Sequence, residues 1–296
     1  MKKFILFIVQ IIVTTLVVAI LLDSFYTYVF LNNNNRNKIE FVINSNPKKY
    51  DVVFLGSSRA NNHFDSRIFS NQGLTVYNYG ISGSRLEESA LLLKLMIEKK
   101  YLVKNIILEI DLNINSDGFS NGTRAMFMPY LKEYETIQNH YHSISNFNQL
   151  YYIPFYRYIN YDSKIGFREL FFSAIKKKNS ALNHEGFLPL INDQRPLVAT
   201  DLSERSPKRN KAYEEIKTIC KQNNITLIAM TTPICAETIN RDYFNHIHKI
   251  YPEIYRMEDT VIDDKYFSTC GHMNEKGAIA FTQIVFDKFF KPKNKS

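Results

Sequence analysis

The chain has 296 residues, 45% of them hydrophobic, which allows a sizeable buried core and argues against a disordered chain. Its net charge is +8, but the basic residues are scattered, with dense runs only at Lys176-Lys177-Lys178 and from Lys288 to Lys295. No zinc-finger or RNA-binding signature accompanies them, so nucleic acid is not the expected partner.

The first element is an apolar run from Phe4 to Leu22, interrupted only by Gln10, Thr14 and Thr15. As a helix it would rise about 28 Å, close to the hydrocarbon thickness of a bilayer. Lys2 and Lys3 precede it, and Phe25, Tyr26 and Tyr28 follow at the level of an interfacial aromatic belt. Residues 1–31 therefore read as a single-pass anchor of a bacterial cytoplasmic membrane, with the remainder on the periplasmic or extracellular side. A cleaved signal peptide is the alternative, although Leu21-Leu22-Asp23-Ser24 lacks the small residues of a cleavage site. The polar stretch after it predicts a tether over 32–49.

From residue 50 onward, apolar strand patterns alternate with helical ones. Strands are expected over 51–56, 74–79, 105–112 and 225–231, and helices over 87–99, 209–222 and 275–290. This alternation predicts an α/β domain over 50–296, built on a parallel sheet with both faces covered. Residues 114–206 break the pattern and read as a mainly helical insertion over one rim of the sheet. Its aromatic cluster, Tyr151 to Tyr158, reads as packing of the insertion; an acyl or glycan groove is the other reading.

In sheets of this kind ligands bind beyond the carboxyl ends of the strands. The first expected strand runs into Gly56-Ser57-Ser58-Arg59, which places a serine at a strand-to-helix turn. The second runs into Gly80-Ile81-Ser82-Gly83-Ser84, where glycines allow close backbone approach. The third ends in Asp111-Leu112-Asn113, whose Asn could donate to an oxyanion or form an Asx turn. Near the C-terminus, Thr269-Cys270-Gly271-His272 leads into the last helix and offers an imidazole as general base.

These four segments together resemble the SGNH hydrolases, also called GDSL esterases, whose name lists Ser, Gly, Asn and His in four ordered blocks. Ser58 matches the nucleophile, Gly83 (or Gly80) the glycine, Asn113 the asparagine and His272 the base. The resemblance implies a three-layer α/β/α, flavodoxin-like sheet. It also implies an oxyanion hole from Ser58, Gly83 and Asn113, and ester chemistry without a metal or cofactor. Two positions depart from the family. Ser57 stands where Asp is usual, as in the membrane-anchored SGNH-like proteins of teichoic-acid D-alanylation and polysaccharide O-acetylation. Thr269 stands where the family places the Asp that orients the base, with Asp263 and Asp264 as possible substitutes. The resemblance thus implies an esterase or O-acyltransferase on acyl esters of an envelope polysaccharide, supplied by a multi-spanning membrane acyltransferase. The alternative is a catalytically weakened glycan-binding or scaffold protein of an acylation complex.

The remaining candidates carry less chemistry. His63 could line the pocket or be structural, and Asp111 could sit near the site or merely end its strand. His246 and His248 share no helix face and read as surface residues. Cys220, Cys235 and Cys270 form neither a disulfide framework nor a zinc site and read as ordinary thiols, with one bridge as the alternative.

Overall fold

The structure is a computed structural model that describes residues 1–115, 117–191 and 197–291. Parts of the expected insertion (116 and 192–196) and of the basic tail (292–296) lie outside the described residues. The first half of the chain contains α1 (Lys2–Leu31), α2 (Lys38–Asn44), β1 (Lys49–Leu55), α3 (Ser58–His63), α4 (Ser66–Ser70), β2 (Val76–Asn78), α5 (Leu86–Glu98) and β3 (Leu102–Glu109). Short helices follow: α6 (Asn121–Phe127), α7 (Glu135–Tyr141), α8 (Phe147–Tyr152), α9 (Tyr156–Asn160), α10 (Asp162–Ile165) and α11 (Phe167–Ala174). The chain then continues through α12 (Lys211–Gln222), β4 (Thr226–Met230), α13 (Tyr243–Ile250), β5 (Phe267–Thr269), β6 (His272–Met273) and α14 (Glu275–Phe289). It divides into two compact units: an anchor unit, Met1–Ser45 with Asn121–Asn179, and a sheet unit, Asn46–Ser120 with Ser180–Ser296.

The sheet unit is α/β. Its main sheet has four parallel strands in the order β2-β1-β3-β4, with Val53 opposite Tyr77 and Ile106, and Ile107 opposite Ile228, and β5 and β6 form a separate antiparallel pair. All four expected strands are present, within a few residues of the expected bounds. Successive side chains alternate between faces. Val52, Phe54 and Ile107 join Phe64, which follows α3, Phe69 from α4, and Phe281 and Val285 from α14 in one core, with Phe54 stacked on Phe64 at 4.8 Å. Val53, Leu55, Ile106 and Leu108 alternate to the other face and are equally buried; α12 packs on β4 and on α5. Side-chain caps fix where helices start: Asn210 accepts from Tyr213 N, and Asn274 from Gly277 N.

The anchor unit is helical. Between residues 4 and 22 the large apolar side chains of α1 are exposed, and the helix is long and apolar enough to cross a membrane. Asp23, Tyr26 and Phe30 on its last turns are buried. The ring of Tyr26 meets Phe155 at 4.9 Å and Tyr158 at 5.0 Å. Asp23 accepts from Phe155 N and pairs with Arg157 and Lys132. Two expected boundaries change. Residues 32–49 are not an extended tether: Asn37 caps α2 through Glu40 N, Glu40 accepts from Asn35 N and Arg36 N, and Ile39, Val42 and Ile43 are buried. The insertion also ends earlier than 206, because residues from Ser180 onward belong to the sheet unit. There Leu188 N donates to Asn61 O, and Gly186 packs on Asn78.

Candidate functional site

β1 and β3 are neighbours in the sheet, but the chain leaves them for opposite sides, so their carboxyl ends form the crevice where such sheets bind ligands. β1 ends at Gly56, whose φ of +140° is open to glycine but strained for other residues. A Cβ here would also lie 2.7 Å from Glu109 Oε2 and 2.9 Å from the Ala60 Cβ. Ser57 then caps α3, accepting from Arg59 N at 3.2 Å. Its N–H and hydroxyl both donate to Glu109 Oε2, at 2.8 and 2.7 Å. Ser57 is therefore a structural cap.

Ser58 is the first residue of α3 and is half-buried. Its Oγ lies 2.8 Å from His272 Nε2, although the two are 214 positions apart. Burial, then the positive charge of Arg59, hold the His272 imidazole below its ordinary value, at about 4, against a smaller opposing effect from Asp111. The ring is therefore neutral at pH 7, and Nε2 can accept the Ser58 proton. Its Nδ1–H points at Thr269 Oγ1, 3.4 Å away, a long contact without charge. Asp263 and Asp264, the possible substitutes, are exposed; Asp263 caps the turn before β5 and pairs with Lys265 at 2.6 Å. Among the described residues the imidazole of His272 bonds to Ser58 and Thr269, and to neither aspartate.

The backbone on both sides of His272 is held by α3. Arg59 Nη1 donates to Gly271 O at 2.6 Å, and Met273 N donates to His63 Nε2 at 3.1 Å. Arg59 and His63 are four apart on the helix and so share a face. His63 is fully buried, and burial, with help from Arg59, keeps it neutral. With Nε2 accepting, its Nδ1–H donates to Thr232 Oγ1 at 3.1 Å. Thr232 Oγ1 in turn donates to Asp111 Oδ2 at 2.9 Å. Asp111 is the partner of Arg59 Nε at 2.8 Å, with both side chains buried. Burial opposes the Asp111 charge, but Arg59 and several hydrogen bonds outweigh it and hold the carboxyl below its ordinary value. Glu109 goes the other way: burial and the Asp111 charge push it well up, which favours the protonated acid. Its Oε1 is buried without a hydrogen-bond partner among the described residues.

The loop after β2 is stitched to the same corner. Ile81 N and Ser84 Oγ both donate to Gly56 O, and Asn61 Nδ2 donates to Ser82 Oγ. Gly80 packs flush on α3, and its N–H is used by Asn78 Oδ1. Gly83 lies exposed in open space at φ +80°. Among the described residues neither its N–H nor that of Ser58 has a partner, so Gly83 rather than Gly80 can present a donor. Asn113 is half-buried in the turn after Asp111, and its amide makes no hydrogen bond among the described residues. His246 and His248 are exposed on α13, as expected.

No protein-family model matches the chain, and no curated protein matches it. A solved structure from Streptococcus pneumonia, provisionally described as a platelet activating factor, aligns with 95% of this chain and 98% of its own, at 12% identity and a TM-score of 0.37. A similarity of that degree carries neither fold nor function across.

Sequence reasoning missed Arg59, Glu109 and Thr232, and left His63 and Asp111 open. A signal for part of this existed. Glu109 and Asp111 interrupt an apolar strand at alternate positions, and an arginine directly after a sheet-top serine needs a buried counter-charge. The cysteines also need correction: Cys235 and Cys270 form a disulfide, and Cys220 is a buried thiol. The bridge joins the loop after β4 to the residue two before His272, beside a backbone bond from Cys235 N to Cys270 O.

Proposed function

We propose that the chain is a membrane-anchored SGNH-type serine esterase or O-acyltransferase, with the sheet unit on the outer side of a bacterial cytoplasmic membrane. The observation that carries this reading is the 2.8 Å contact between Ser58 Oγ and a neutral His272 Nε2 at the carboxyl edge of the parallel sheet. The strand order β2-β1-β3-β4 matches the first four strands of the flavodoxin-like order 2-1-3-4-5 and supports this reading.

In the proposed reaction Ser58 Oγ attacks the ester carbonyl carbon and its proton passes to His272 Nε2. The tetrahedral oxyanion is met by the N–H groups of Ser58 and Gly83 and the Asn113 amide, donors worth about 3 kcal/mol each in such sites. Collapse expels the alcohol, which takes the proton back from His272 and leaves an acyl-serine. Water, or a sugar hydroxyl, then attacks the acyl group while His272 again accepts the proton; collapse breaks the bond to Ser58 Oγ, which takes that proton back from His272 and releases the acid or the new ester. The substrate class is an acyl ester of an envelope polysaccharide, and the partner a multi-spanning membrane acyltransferase that supplies the acyl group. An uncleaved anchor is supported by Asp23, Tyr26 and Phe30, which are buried within the anchor unit: cleavage at the end of the apolar run would cut a packed helix.

One observation favours a second reading, a weakened SGNH-like scaffold or glycan-binding protein. Among the described residues no carboxylate touches His272 Nδ1, where Thr269 stands at 3.4 Å. Treatment of the full-length protein in membranes with a fluorophosphonate probe separates the two readings. Labelling of the wild type that disappears in Ser58→Ala and falls in His272→Ala supports the enzyme. An unlabelled wild type that still binds acylated glycan supports the scaffold.

A further inference from the structure

The anchor unit departs from the usual rule that a packed helix hides its apolar face. In α11 the outward residues are Phe167 and Phe171, 70% and 51% exposed, while Leu170 and Ser173 are buried. Between α8 and α9, Tyr152 and Ile153 are 71% and 48% exposed, and Ile159 on α9 is 64% exposed. Apolar surface of this extent in a single unit marks an interaction site.

Its position along α1 points to the occupant. The exposed apolar run of α1 ends at Leu22, and Asp23 follows directly. Asp23 accepts from Phe155 N at 3.0 Å and pairs with Arg157 at 3.1 Å, so the α8–α9 corner clasps α1 at the first polar residue after the run. Tyr152, Ile153 and Ile159 flank that clasp within a few residues. If α1 crosses a bilayer, they lie at the level where the hydrocarbon gives way to headgroups. α11 packs on α1 as well, and the exposed Lys164 and Arg168 beside it suit anionic phosphates. Aromatic and branched side chains next to basic ones are the composition of an interfacial surface.

We propose that the anchor unit is seated on the membrane, with the outer faces of the α8–α9 corner and the start of α11 lying in the anionic headgroup region of the bilayer that α1 crosses. This rests on α1 as a membrane span, and not on the esterase reading. Seating a rigid helical collar would also fix the anchor at its exit from the bilayer, where a free tether would leave it to swing.

The absence of tryptophan from the chain provides the test. Single-tryptophan variants Ile153→Trp, Phe167→Trp and Phe7→Trp of the full-length protein are reconstituted into vesicles containing anionic phospholipid. Part of the lipid is brominated either near the headgroup or near the chain ends. Ile153→Trp and Phe167→Trp should emit to the blue of aqueous N-acetyltryptophanamide, with greater loss of intensity to the shallow bromines than to the deep ones. Phe7→Trp should also be quenched by lipid. Emission from both surface variants at the aqueous wavelength, unquenched while Phe7→Trp is quenched, would overturn the seating and leave the span intact. An unquenched Phe7→Trp would overturn both. The mutated positions are exposed, and circular dichroism melting checks that each variant keeps its fold.

Discussion

The two units use the same kind of buried ion pair for different ends. In the sheet unit Arg59–Asp111 lies at the mouth of the sheet, where the pair also bonds the segments that carry Ser58 and His272. In the anchor unit Arg157–Asp23 closes a short-helix corner around α1 and touches no candidate reacting group. Their surfaces differ as well: the sheet unit buries the carboxyl halves of its parallel strands, while the anchor unit turns Phe167, Phe171 and Ile153 outward. The comparison teaches that a buried charge pair is not in itself a functional signal. Its meaning comes from what its remaining hydrogen bonds reach.

Breaking the two pairs in turn gives the largest effect. Asp111→Leu and Asp23→Leu should each cost about 3–5 kcal/mol of stability, because each strands a buried arginine. Thermal melting of the full-length protein checks this. Only Asp111→Leu should also abolish fluorophosphonate labelling of the folded fraction, because Arg59 then loses the partner that aims it at Gly271 O. Equal loss of labelling in both variants would mean that the units do not divide the work in this way.

The disulfide sharpens the same contrast with a smaller effect. Cys235→Ser opens a loop with a sequence separation of 35 residues and should cost about 2–4 kcal/mol. Labelling should slow together with the melting temperature, since Cys270 fixes the strand turn two residues before His272. Cys220→Ser, a buried thiol outside the bridge, should leave labelling unchanged.

The smallest effect is on pH dependence. A base must be neutral to accept a proton, so labelling should hold from neutral pH down to about pH 5. It should fall by half near the His272 value of about 4, rather than near the ordinary imidazole value. Thr269→Asp places a carboxylate beside Nδ1 and favours the imidazolium. It should shift the midpoint upward and raise the neutral-pH rate, by about tenfold at most. A midpoint near 6.5 in the wild type would mean that the imidazole is neither buried nor near a positive charge in solution.

Periodicity alone located the four strands of the parallel sheet and the three long helices of the sheet unit, but not the short β5 and β6, because only the longer apolar runs leave few alternatives. Strand ends and the start of the last helix point to the segments around Ser58, Gly80 to Gly83, Asn113 and His272, and the family resemblance singles out those residues within them. The polar residues over 32–49 resemble a linker in sequence, yet the segment contains α2. Asn37 and Glu40 become caps only once Ile39, Val42 and Ile43 have a surface to bury against. Likewise, Tyr152 to Tyr158 could not be divided by sequence into packed and exposed side chains, because both are aromatic and apolar.

The sequence by itself determined a parallel α/β domain behind a membrane-length apolar helix, since these follow from local hydrophobic pattern and length. It could not determine that Arg59 and His63 brace the two sides of His272, that Cys235 pairs with Cys270, or that Asp263 and Asp264 stay away from the imidazole. Those facts depend on distances between residues far apart in the chain, which only the packed structure sets.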